Sequence, residues 1–93
     1  MTSEEFVKLD KAIDKVLDSS TVDEGRQELE ALMQQGITDD ALFFWRADSN
    51  YQEYLKTGDK SKLQKAIDDY RRLVANGDYE HLKATLRQWE TLI

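Results

Sequence analysis

Apolar residues recur along this chain at spacings of three and four, the period of an α-helix rather than of a strand. Phe6, Leu9, Ile13 and Val16 open the pattern, and Val7, Ala12 and Leu17 widen it. That stripe predicts a helix over about residues 4–18 with one buried face. Thr2 or Ser3 can cap it, and Glu4 and Glu5 then face the positive end of its dipole.

Asp18, Ser19, Ser20 and Thr21 interrupt the pattern. Thr21 and Glu24 have the spacing of a capping box, which predicts a second helix over about 22–35. Its apolar face is thin: Val22, Leu29, Leu32 and Met33. Gly25 marks either a close approach by a neighbouring helix or a weak spot. Gly36 is placed as a left-handed stop, with Ile37 folding back onto Leu32. Thr38 is the expected cap of a third helix over about 39–57, with Asp39 and Asp40 in its first turn and Gly58 at its end. The poor helix formers Asp48, Ser49 and Asn50 are the place where this helix would kink. A fourth helix, about 60–76, takes Asp59 or Ser61 as cap and Gly77 as stop. Asp78 is the expected cap of a fifth, about 79–92.

The linkers are short and the chain has no Pro. Consecutive helices are therefore expected to pack as antiparallel hairpins. The fold class that follows is all-α, as a single domain over residues 1–93 with one core. It is either a five-helix antiparallel bundle or a tetratricopeptide-like array of helical hairpins.

The last two helices share a pattern offset by about 19 residues. Gly58, Asp59, Leu63, Ile67, Tyr70, Leu73 and Val74 fall opposite Gly77, Asp78, Leu82, Leu86, Trp89, Leu92 and Ile93. In the third helix Phe44, Ala47, Tyr51, Tyr54 and Leu55 follow the same order. Either this is true repetition, or three amphipathic helices of similar length look alike. Both readings predict three faces packed around a common core.

Composition narrows the function. Of the 93 residues, 40% are hydrophobic and 34% charged, with a net charge of −6. An acidic chain is a poor match for a nucleic-acid backbone or an anionic membrane surface. The chain has no Cys, which excludes disulfides, thiolate catalysis and cysteine zinc sites, and suits a cytoplasmic location. The acidic N-terminus does not read as a signal peptide, and no stretch approaches the roughly 20 apolar residues of a membrane span.

Candidate chemistry is sparse. His81 is the one histidine, and a nucleophile–base pair or a metal site needs more partners than it has. The carboxylate pairs Glu4–Glu5 and Asp39–Asp40 sit where helix dipoles favour them. Asp68–Asp69 falls on the polar side of its helix. Arg71, Arg72 and Arg87 read as surface partners of acids. No catalytic residue, cofactor or metal is expected, and the chain is read as a non-enzyme.

The segment from Ala41 to Trp45 is more informative. A helix turns about 100° per residue, so Leu42, Phe43, Phe44 and Trp45 cannot share one face. Phe43, Phe44, Ala47, Tyr51, Tyr54 and Leu55 cluster within roughly 120°, and Leu42 and Trp45 lie outside that arc. These two either pack on the first two helices, making the third helix central, or form a contact surface with Trp45 as its hot spot. They are the candidate protein-contact residues.

Two family resemblances lie in the second half. Asn76 to Ile93 begins Asn76-Gly77-Asp78, continues through Leu82 and Arg87-Gln88-Trp89, and closes on Leu92. It resembles the C-terminal helical segment of bacterial Hsp70 (DnaK-family) chaperones, and Phe44-Trp45 and Tyr54-Leu55 resemble the aromatic helix before it. Tyr54 to Asp59, then Leu63, Ala66-Ile67 and Tyr70 to Leu73, is similar to the turn and second helix of a tetratricopeptide repeat. Both resemblances imply binding rather than catalysis. The expected function is a non-catalytic helical protein-interaction module, which the first resemblance makes an accessory C-terminal domain of an Hsp70-like chaperone. The alternative is a structural protein that self-associates through Leu42 and Trp45. The partner is expected to be a protein of unspecified identity, with the chain itself a monomer or a weak homodimer.

Overall fold

The computed structural model describes residues 2–77 and 79–93. They form α1 (Ser3–Leu17), α2 (Val22–Gln34), α3 (Asp40–Thr57), α4 (Lys60–Ala75), a short 3-10 turn (Glu80–Leu82) and α5 (Lys83–Thr91). The protein is an all-α helical bundle, and no strand occurs among the described residues.

Local chemistry explains the helix starts. Thr2 caps α1 in a reciprocal box: its hydroxyl accepts from the Glu5 amide, and the Glu5 carboxylate accepts from the Thr2 amide. That amide holds the Glu5 carboxyl below the usual carboxylate range. The box expected at Thr21 and Glu24 does not form. The Thr21 hydroxyl instead donates to the Lys15 carbonyl at 2.8 Å, tying the loop back to the open end of α1, and Glu24 is drawn to Lys15. Asp39, not Thr38, caps α3 by accepting from the Ala41 amide, and Asp59 caps α4 through Ser61. Gly36 (φ 90°) and Gly58 (φ 73°) take the left-handed stops assigned to them. Asp78 lies outside the described residues. α3 runs uninterrupted through Asp48, Ser49 and Asn50. Ser49 and Asn50 are buried rather than solvated, and the Ser49 hydroxyl is satisfied by the Arg46 carbonyl.

The interior is two clusters rather than one core. Leu9, Ala12, Val16, Val22, Leu29, Leu32 and Leu42 form the first, joined by Ile13, Met33, Ile37, Ala41 and Trp45 at its edge. The second holds Ala47, Leu63, Ala66, Ile67, Tyr70, Leu73, Leu82, Leu86 and Trp89, flanked by Phe43, Phe44, Tyr51 and Tyr54. α3 stands between them because its apolar residues wrap most of its circumference: Ala41, Leu42 and Trp45 turn to the first cluster, and Phe43, Phe44, Ala47, Tyr51 and Tyr54 to the second. α3 packs on α1, α2 and α4, whereas α1 and α5 do not pack on each other. The shortest dimension, 20 Å, is about two helix diameters, so the bundle is two helices thick.

The repeat positions share burial only in part. Leu63 and Leu82, Ile67 and Leu86, and Tyr70 and Trp89 are all buried. Leu92 and Ile93 are exposed where Leu73 and Val74 are packed, because α5 stops at Thr91 before a further turn can cover them. Leu55, placed by its phase in the α3 arc, is exposed as well.

Candidate protein-contact surface

Leu42 cannot be part of a contact surface, because it is fully buried in the first cluster. Trp45 is partly buried and packs on the edge of that cluster. Its other side meets Phe44 edge-on, with ring centroids 5.1 Å apart. The two rings help to wall an open depression of about 320 Å³ that is also lined by Asp39, Asp40, Ala41, Tyr79 and His81. The Tyr79 hydroxyl donates to the Asp40 carboxylate at 2.7 Å, joining the start of α3 to the segment before α5. Asp39 also lines a neighbouring depression with Glu5, Ile37 and Thr38.

The largest departure from the sequence reading is on α1. Only Leu9, Ala12 and Val16 of its wide apolar stripe are buried. Phe6 is 49% exposed, Val7 52% and Leu17 63%. At 100° per residue Phe6, Ile13 and Leu17 fall within about 40° of one another and run about 16 Å along the helix. They form an apolar strip beside the buried face. The stripe is wider than α2 and α3 can cover: α2 takes the Ala12–Val16 side at very close range, leaving the far side open. A β-carbon at Gly25 would lie 2.8 Å from the Ala12 carbonyl oxygen and from the backbone nitrogen of Val16.

Charges on α1 are sorted by face. Lys15 bonds Glu24 and Glu28 of α2 at 3.0 and 2.7 Å, and these bonds raise its pKa. Lys8 and Lys11 line a groove with Glu28, Ala31, Leu32 and Gln35 of α2. Asp10 and Asp14 lie beside the apolar strip; Asp10 is about 100° or more round the helix from any of these lysines, and Asp14 about 60° from Lys11.

The groups weighed for catalysis are dispersed. His81 is exposed in the 3-10 turn, its ring 6.2 Å from that of Tyr79. Glu4 pairs with Lys8, and Asp68 accepts from Gln64. Asp69 departs from its expected place on the polar side. Its side chain is 6% exposed and takes a two-pronged bond from Arg46 of α3 at 2.7 and 2.9 Å. Those bonds push the Arg46 guanidinium above its ordinary pKa. An Asp on the flank of an apolar stripe is buried once a neighbouring helix brings a guanidinium to it, and one helix's periodicity carries no sign of that partner. Arg71 bonds Glu90 at 2.8 Å, and Arg72 lies 4.3 Å over the Phe43 ring. Among the described residues, no group of three or more acidic or histidine side chains could hold a metal, and no helix is long and apolar enough to cross a membrane.

The fold and surface define a small all-α helical bundle. No protein-family model, curated protein or solved structure matches this chain.

Proposed function

We propose that this chain is a non-catalytic helical protein-interaction module. The observation that carries the proposal is the apolar strip on α1, where Phe6 and Leu17 stand 49% and 63% exposed beside a helix face that is otherwise packed. Single exposed apolar residues are ordinary, but a phased row along one helix is a surface built for a partner. The aromatic depression at Trp45 is a second candidate contact on the same molecule. The resemblances of residues 76–93 to a chaperone tail and of residues 54–73 to a tetratricopeptide unit support the binding class. They suggest an accessory segment acting beside an Hsp70-like chaperone in the cytoplasm.

Self-association through Leu42 would require the first cluster to unpack, which leaves Trp45 or the α1 strip as the face for a homodimer. The test is affinity capture by the native chain and by Phe6→Ser/Leu17→Ser and Trp45→Ala variants, each checked for helicity. A specific partner retained by the native chain and lost by the folded strip variant is the expected result. Identical capture by all three chains rules the reading out. Light scattering across a concentration series separates the alternative: a mass that doubles, and reverts to monomer in the strip variant, assigns the strip to self-association.

A further inference from the structure

We propose that the α1 strip receives a cationic amphipathic helix, an inference that rests on the interaction-module reading above. The strip is apolar along Phe6, Ile13 and Leu17, and the α1 charges beside it, Asp10 and Asp14, are acidic; Lys56 of α3 reaches only its far end, where it bonds the Ser19 carbonyl. Asp10 and Asp14 have no hydrogen bond or ion pair with any described residue. The lysines of α1 lie on its other side: Lys15 bonds Glu24 and Glu28 of α2, Lys8 pairs with Glu4, and Lys8 and Lys11 line the groove against α2. The strip is thus flanked by unneutralised carboxylates, and a partner that covers Phe6 and Leu17 brings its own flanking side chains against them. Lys or Arg at those places gains from the meeting, and Asp or Glu is repelled.

The partner's backbone form follows from the same surface. α1 presents no unpaired backbone groups along its length, so a β-strand cannot be added to it. A row at i, i+7 and i+11 matches the stripe of another helix. A second copy is the weaker occupant. A two-fold pairing through α1 would set Asp10 and Asp14 against their own counterparts, between chains that each carry −6.

The probe is a designed amphipathic peptide of Leu and Lys, about five helical turns long, and its control is the same pattern in Leu and Glu. Each is titrated into the isotopically labelled chain and followed by amide chemical shifts. The Leu/Lys peptide is expected to shift amides along α1. Its affinity should fall by about tenfold or more in Asp10→Lys/Asp14→Lys and in Phe6→Ser/Leu17→Ser, with helicity unchanged. Asp10 and Asp14 are exposed, and Phe6 and Leu17 are 49% and 63% exposed, so the variants are expected to fold, which their helicity checks. Binding that is indifferent to either pair, or that maps away from α1, overturns the proposal. Equal binding of the Leu/Glu peptide at α1 overturns it but leaves the interaction-module reading standing. If neither peptide perturbs α1, the proposal fails, and the capture experiment decides the interaction-module reading separately.

Discussion

The two faces of α3 are held by different physics. On one face, Leu42 meets a cluster whose buried members are all aliphatic: Leu9, Ala12, Val16, Val22, Leu29 and Leu32. Closeness is the source of contact there, because Gly25 lets α2 settle directly onto the backbone of α1. On the other face, rings fill the space. Trp89 lies 4.3 Å from Tyr70 and 4.6 Å from Tyr51, and Phe44 stacks on Tyr70 at 6.0 Å. The difference teaches that the two halves have opposite sensitivities. The first has no room for an added atom, and the second depends on large groups that nothing else could replace.

Deletion and addition should therefore give opposite maps. Trp89→Ala is expected to have the largest effect, about 4 kcal/mol, since it removes the ring that both Tyr51 and Tyr70 rest on. Urea unfolding measures it, and a loss below about 1 kcal/mol would show that the rings only adjoin. Asp69→Ala comes next, at about 3 kcal/mol, because it strands Arg46. The value sits at the low end for a buried pair because the Arg46 side chain is 29% exposed and can turn to water. An Arg46→Met/Asp69→Leu pair should recover most of that loss.

Gly25→Ala is expected to cost about 2 kcal/mol net, since backbone overlap outweighs the roughly 1 kcal/mol gained in helix propensity. A stabilised variant would mean that α1 and α2 can slide apart freely, and the contrast between the halves would fail. Combined with Trp89→Ala, its effect should add, because the two sites share no partner.

The smallest effect concerns pH. Burial, with a contribution from Asp48, pushes the Tyr70 hydroxyl up from 10.0 to about 12. The folded state then holds this proton more tightly than the unfolded chain. The resulting stability is fully present below pH 10.0 and is lost as pH rises toward about 12. Tyr70→Phe should be free of that part of the alkaline loss, so the two urea midpoints should converge or cross only above pH 10.0. Parallel midpoints throughout would place the Tyr70 hydroxyl in open water.

Particular residues show how far the sequence could be read. The α3 arc of Phe43, Phe44, Ala47, Tyr51 and Tyr54 packs together against the second cluster, and Leu42 leaves it for the first. Helical phase is local and survives in any fold. The candidate site was legible in part. Trp45 does line a depression, but Leu42 is buried, and the exposed row of Phe6 and Leu17 looked like core. One-dimensional periodicity marks a face as apolar without showing how much of it a neighbour covers.

Sequence alone determined the number of helices, their phases and most of their stops, because 3.6-residue periodicity, capping hydroxyls or carboxylates, and left-handed glycines act within a few residues. Only the tertiary structure decided that the interior divides in two across α3, that Asp69 is buried against Arg46, and that α1 keeps an uncovered apolar strip. Each of those depends on which helix arrives beside which, and at what distance. Between α1 and α2 that distance is set by the missing side chain at Gly25.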